Sequence, residues 1–120
     1  MEVVQIDINR PERYDDPRLE VDFRTHAVTV DQRAIRLTNM EFRLLALLAQ
    51  NAGDIVPRAA LLEHVWGYSR EVRTRTLDVH IRRLRGKLKD HGRQHIETIF
   101  GIGYRLQPSR QQRILSALGA

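Results

Sequence analysis

Cysteine is absent from the 120 residues, which excludes disulfides, thiolate metal sites and cysteine nucleophiles. The absence also suits a reducing cytosol. No apolar run approaches the ~20 residues needed to span a bilayer. The N-terminus lacks the basic-then-apolar order of a secretion signal. The chain is therefore expected to be soluble and cytoplasmic, with no membrane partner. Internal repeats and low-complexity segments are missing too. Catalytic signatures are equally scarce. His91 and His95 stand four apart, but they bracket Gly92 in a turn and lack the glutamate of H-E-x-x-H. They are expected to be solvated loop histidines and not metal ligands. Gly101-Ile102-Gly103 reads as a hairpin pair and does not continue into a G-x-G-x-x-G phosphate loop. The expectation is a protein that is not an enzyme and takes no cofactor or metal.

What is present is an ordinary globular composition, 42% hydrophobic, in a length that suits one domain. The net charge of +5 is unevenly spread. Residues 1–69 sum to −3 and residues 70–113 to +8. A basic half on a slightly acidic base suits a polyanion binder, or a solvated basic face; charge alone does not decide between them.

Residues 3–8, 19–23, 27–30 and 34–37 are short β-prone runs, and residues 9–18, rich in Pro, Asp and Arg, read as a loop between the first two. Together they predict a four-stranded antiparallel sheet over residues 3–37. Thr38 and Glu41 form a T-x-x-E capping box, with Leu37 and Phe42 placed as a hydrophobic staple. A helix from there to about Ala52, stopped by Gly53, is apolar around most of its surface and must be buried on most sides. A second helix is expected from Pro57 to Trp66, closed by Gly67. A loop over 67–73 leads to a third helix, capped by Thr74 and running to about Lys89. Residues 96–99 and 104–106 flank a hairpin turn. The fold class is α+β: sheet 3–37, helices 38–90 and hairpin 96–106 in a domain of residues 1–107. Residues 108–120 form an extension in which Ser109 and Gln112 suggest a short helix with an Ile114, Leu115 and Leu118 edge.

The third helix carries the chemistry. Leu77, Ile81, Leu84 and Leu88 fall on one narrow stripe and face the core. The opposite face presents Arg75, Val79, Arg82, Arg83 and Gly86, edged by Thr76, His80 and Lys87 on one side and Asp78 and Arg85 on the other. Arginine can bond guanine O6 and N7 in pairs, and a small apolar group such as Val79 can meet a thymine methyl. Asp78 lies one turn before Arg82 and is placed to pair with it. A merely solvated basic face leaves Val79 and Gly86 at its centre unexplained.

The runs LTNMEFRLL, LLEHVWG, RTLDVHIRRLRGKL and GIGYRL lie in the order and spacing of one family. Residues 37–106 resemble the DNA-binding effector domain of OmpR/PhoB-type response regulators, a winged helix-turn-helix. The resemblance implies transcriptional regulation through double-stranded DNA, with helix 74–89 in the major groove and wing 96–106 on the backbone or minor groove. It implies base-edge positions at Arg83 and Asp78, and phosphate or groove-wall positions at Arg75, Thr76, His80, Arg82 and Arg85. It implies backbone contacts from Trp66, Thr98 and Tyr104. A core packing role for Trp66 stays open. Tyr68, Arg70 and Glu71, in loop 67–73, are implied to contact RNA polymerase.

The resemblance also implies tandem direct repeats as target. A receiver domain and a sensor kinase, the other parts of a two-component phosphorelay, are expected outside this chain, and a monomer in isolation. One departure stands out: Phe100 takes the place where many relatives have an arginine for the minor groove. It either wedges against sugars, packs on Ile102 or is exposed for a partner. A winged-helix module that binds only protein is the alternative reading.

Overall fold

The computed structural model describes residues 12–67, 74–90 and 95–108. Its elements run β1 (Arg13–Asp15), β2 (Leu19–Asp22), β3 (Val28–Val30), β4 (Arg33–Ile35), α1 (Asn39–Gln50), β5 (Val56–Pro57), α2 (Arg58–Trp66), α3 (Thr74–Lys87), β6 (Ile96–Ile99) and β7 (Gly103–Leu106). Strands β1 to β4 pair antiparallel in chain order, and a second sheet has the order β5-β7-β6. The architecture is a winged helix: an N-terminal four-stranded sheet, three helices and a C-terminal hairpin.

The first sheet buries one face. Leu19 pairs with Val30 and Val21 with Val28 across β2 and β3, and all four side chains are buried. Alternation with period two makes that inevitable once the register is set. The β3–β4 turn is two residues, Asp31 and Gln32, both at positive φ (50° and 67°). That backbone matches the twist of an antiparallel pair.

Among the described residues, the first strand lies in the segment 9–18 expected to be a loop. Residues 3–8 lie outside the described residues. In this strand, β1, Arg13, Tyr14 and Asp15 pair with Asp22, Val21 and Glu20. A three-residue edge strand flanked by charges has only Tyr14 to offer as an apolar signal, and such charge is usual on sheet edges.

Helix α1 begins as its sequence requires. Thr38 Oγ1 accepts from the Glu41 N–H, and the Glu41 carboxylate accepts from the Thr38 N–H. The helix ends at Gln50, two residues before the expected limit, as Asn51 and Ala52 turn on i−3 bonds. Its inner residues Leu44, Leu45 and Leu48 are fully buried. The strand β5 was not anticipated. It is two residues long, and Pro57 caps α2 from an extended conformation instead of opening its first turn. Strand β5 lies so close to β7 that a Cβ on Gly103 would stand 2.1 Å from the Val56 carbonyl oxygen. Glycine is required there.

Helix α3 buries Leu77, Ile81, Leu84 and Leu88 at 1% exposure or less. The stripe is where the spacing put it. The helix stops at Lys87, two residues short of the expected end, and Lys89 turns left-handed at φ 56°.

His95 overturns the expectation of a solvated histidine. It is buried, and its Nε2 lies 2.7 Å from Asp16 Oδ2. The Tyr14 hydroxyl donates to the same oxygen at 2.6 Å, and the Arg18 and Leu19 N–H groups donate to Oδ1. Sequence could not show this, because the partner lies 79 positions away. Burial pushes the Asp16 carboxyl up, but the bonds from His95, Tyr14 and the backbone outweigh it. They hold the group well below the ordinary carboxylate range. With the folded value depressed, its stabilisation is present above the unfolded value and is lost as pH falls. Acid denaturation should therefore bite from about pH 5 downward, and Asp16→Asn should flatten that limb. Denaturant midpoints measured across the acid range would show it; an unchanged limb would contradict the assignment.

Candidate nucleic-acid interface

Opposite the buried stripe, α3 presents Arg75, Val79, Arg82, Arg83 and Gly86, all exposed. Val79 is 38% exposed although it is apolar. Nothing lies within 4 Å of where a Gly86 Cβ would be, so no internal packing demands glycine. Mid-helix glycine costs ~1 kcal/mol relative to alanine, and the surface above it is open. Arg75, Arg82 and Arg83 have no ion pair among the described residues.

Along one edge, Thr76 and His80 are half-buried beside Trp66. The Trp66 and His80 rings meet edge to face, with centroids 5.0 Å apart. His80 Nδ1 lies 2.8 Å from the Thr76 carbonyl. A carbonyl only accepts, so Nδ1 carries the hydrogen in this bond. Trp66 packs partly against the core and is not fully inside it. Partial burial of this kind accords with the core-packing reading of the tryptophan.

The other edge turns toward the wing. Asp78 does not pair with Arg82, as its spacing suggested. Its Oδ1 accepts from Arg58 at 2.9 Å and from the Tyr104 hydroxyl at 2.6 Å. An i,i+4 pair on a helix surface is worth ~0.3–0.5 kcal/mol, and two donors from a partly desolvated cleft outcompete it. Partial burial pushes the Asp78 carboxyl up, and the bonds from Arg58 and Tyr104 more than reverse this, leaving it below its ordinary value. Burial and then Asp78 raise Tyr104, so the phenol stays neutral and donating.

Two turns along, Arg85 donates to the Ile96 carbonyl at 2.7 and 3.1 Å and to Thr98 Oγ1 at 2.7 Å. The Arg58 and Arg85 guanidinium carbons lie 5.9 and 5.6 Å from the centroid of the Tyr104 ring. Tyr104 is buried at 4% exposure. Thus Asp78, Arg85, Thr98 and Tyr104 meet one another at the junction of helix and wing.

Between α3 and the wing lies an open cleft of about 680 Å³, lined by Arg58, Arg82, Arg85, Gly86, Phe100 and Tyr104 among others. Phe100 is 83% and Ile102 52% exposed. The option of Phe100 burying itself on Ile102 is thereby removed. The loop residues Tyr68, Arg70 and Glu71 lie outside the described residues, as does the extension from residue 109.

Three pairings escaped sequence reasoning. Arg58 enters from the start of α2 with no local signal. Lys87 pairs with buried Glu41 at 2.5 Å, which takes it off the outward face. Asp90 is buried and accepts from the His95 and Ile96 N–H groups at 2.9 and 2.7 Å. Only the last had a sequence hint, an aspartate at a helix exit.

A double-mutant cycle separates the two pairings of Asp78. Asp78→Ala and Arg58→Ala should show a coupling of about 0.5–1 kcal/mol in unfolding free energy. The Asp78→Ala and Arg82→Ala cycle should be additive within ~0.3 kcal/mol. The reverse pattern would restore the i,i+4 pair.

Comparison with known proteins places this geometry. The family described as transcriptional regulatory protein, C terminal, matches residues 31–106. The response regulator ArlR of Staphylococcus aureus is 46% identical over 87 residues, covering 72% of this chain and 40% of ArlR. The chain thus spans less than half the length of the curated relatives it matches. Among solved structures, the Klebsiella pneumoniae RstA DNA-binding domain in complex with the RstA box superposes with a TM-score of 0.74 at 31% identity, over 82% of this chain and 99% of that one. DrrB, a Thermotoga maritima OmpR/PhoB homolog, superposes with a TM-score of 0.73 at 35% identity, over 80% of this chain and 44% of that one. A family match over more than half the chain, with the sheet, helices and wing in place, assigns it. The chain belongs to the C-terminal domains of transcriptional regulatory proteins, as an OmpR/PhoB-type effector domain, a regulatory and not a catalytic unit.

Proposed function

We propose that this domain binds double-stranded DNA by sequence and regulates transcription as the effector part of a two-component response regulator. The observation that carries the reading is the outward face of α3. Three arginines surround an exposed valine and a glycine, on the side opposite a fully buried stripe. Such a face combines bidentate donors for guanine, an apolar group for a thymine methyl and a place where backbone can approach. The RstA domain was solved with its RstA box, and the AdeR DNA-binding domain with an intercistronic region, which supports the same use here.

In this reading α3 enters the major groove. Arg83 and Val79 face base edges, and Arg75, Thr76, His80 and Arg82 face phosphates or the groove wall. Trp66 contacts the sugar-phosphate backbone through its indole N–H. Asp78, Arg85, Thr98 and Tyr104 line the junction beside the duplex, and any contact they make with DNA is shared with the bonds they make to one another. The wing follows the backbone or the minor groove. Residues 1–107 form the domain and 108–120 an extension. A receiver domain belongs to the whole protein, a sensor kinase is its partner, and the protein works in the cytoplasm. The isolated domain is a monomer that meets a second copy on tandem direct repeats.

Arg83→Ala should cost ~1–3 kcal/mol on a cognate duplex and much less on random DNA. With four to six phosphate contacts, log K should fall against log salt with a slope of roughly −4 to −5. Binding titrations at several salt concentrations give both quantities. A slope near zero would favour the protein-only module.

Loop 67–73 is longer than the ~3–4 residues of a compact helix-turn-helix. In this reading Tyr68, Arg70 and Glu71 contact RNA polymerase. Replacing them should lower transcription in a reconstituted assay and leave DNA affinity unchanged. Loss of DNA binding in the same variants would assign the loop to the groove.

A further inference from the structure

The wing enters the domain at His95, and that residue is gripped from three sides. Its N–H and that of Ile96 donate to the two oxygens of Asp90, where α3 has just ended. Its carbonyl accepts from the Gln107 N–H at 2.7 Å. Its ring reaches Asp16, which also holds the Tyr14 hydroxyl. Two buried carboxylates, from opposite ends of the chain, converge on the first residues of β6.

Core stability does not call for this arrangement. Ile96, Tyr104 and Leu106 of the wing are already buried against the helices. The bonds to Asp16 outweigh the cost of burying its carboxylate and add stability of their own. A satisfied, hydrogen-bonded cluster also supplies direction, which apolar packing lacks. Direction matters at this place. The next residues of β6, Ile96 and Thr98, are where Arg85 of α3 attaches. Holding the His95 ring and both flanking N–H groups fixes the rotation of β6 about its own axis. The rotation of β6 in turn sets where Thr98 and Phe100 stand across the cleft from Arg82 and Gly86.

We propose that Tyr14 and Asp16 of the N-terminal sheet are positioning residues for DNA reading, acting through His95 to set the wing against the recognition helix. The proposal rests on the DNA-binding reading of α3. It makes the sheet part of the reading apparatus, although none of its residues touches the cleft. Phosphate attraction tolerates a loosely seated wing, whereas base contacts require fixed alignment. Disturbing the pair therefore lowers discrimination more than it lowers general affinity. Whatever displaces β1 acts on the same quantity.

The experiment compares the wild-type chain with Asp16→Asn, His95→Gln and the D16N/H95Q double variant. Each is measured on a duplex that the wild type selects from a random library and on a random-sequence duplex, under conditions where circular dichroism shows it folded. Asp16→Asn should weaken binding to the selected duplex by about five- to tenfold and to the random duplex by less than about twofold. Amide exchange should quicken at Ile96 and Thr98 while α1 keeps its protection. In the double variant two carboxamides can re-form the bond without buried charge, and discrimination should return to within about twofold of wild type.

A role confined to stability would shift the unfolding midpoint and leave the ratio between the duplexes unchanged; that result overturns the proposal. Equal losses on both duplexes overturn it as well. Should Asp16→Asn not fold, Tyr14→Phe removes one bond to Asp16 and leaves the pair, and it should cost about two- to threefold in discrimination. An unchanged ratio there is the same refutation. If the wild type selects no duplex, the DNA reading fails and this proposal fails with it. If the wild type selects one and every folded variant matches it, only the proposal fails.

Discussion

Helix α3 carries five basic side chains and offers the core only three apolar ones, with Leu88 just past its end as a fourth. The domain is arranged around holding a charged helix by so narrow a strip. Each of Leu77, Ile81, Leu84 and Leu88 is fully buried, at ~1.5–3 kcal/mol apiece. That anchors the helix and leaves its rotation and its cations to be managed. Lys87 turns inward to Glu41 and Arg85 to the wing. Arg75, Arg82 and Arg83 are left on the outward face. The fold thus sorts the cations of one helix into those that attach it and those left facing outward.

The attachment is polar at both edges of the wing. Asp78 holds Tyr104 of β7, and Arg85 holds Ile96 and Thr98 of β6. The Tyr104 ring fills the space between two guanidinium groups. Arg58 joins from the start of α2, brought there because β5 packs on β7 at the one residue without a side chain, Gly103. Helix and wing are therefore joined by polar bonds at both edges. Fixed alignment suits sequence reading, where a misplaced donor loses its base contact and keeps its phosphate attraction.

Several of these features are legible in the amino-acid sequence. The capping box of Thr38 and Glu41 is a relation over three residues, and it forms as the spacing requires. The α3 stripe, the outward arginines and the wing hairpin follow from periodicities of 3.6 and 2 that hold wherever a helix or strand has one buried face. The edge strand β1 and the two-residue β5 do not announce themselves, since each is too short to display a period. Asp78 shows the limit most clearly. Its neighbour Arg82 is available one turn away, but Arg58 and Tyr104 reach it from other elements.

The sequence by itself determined the class of fold, the order of the helices and the wing, the buried stripe and the basic face opposite. These are local or periodic properties, set by covalent spacing and by the cost of exposing apolar surface. Only the tertiary structure decided which polar groups pair. Asp16 with His95, Asp78 with Arg58 and Glu41 with Lys87 join segments distant in the chain. A hydrogen bond depends on ångström separations and angles that spacing along a chain does not encode. A charged side chain takes the partner that burial makes most favourable, and burial is known only once the elements have packed.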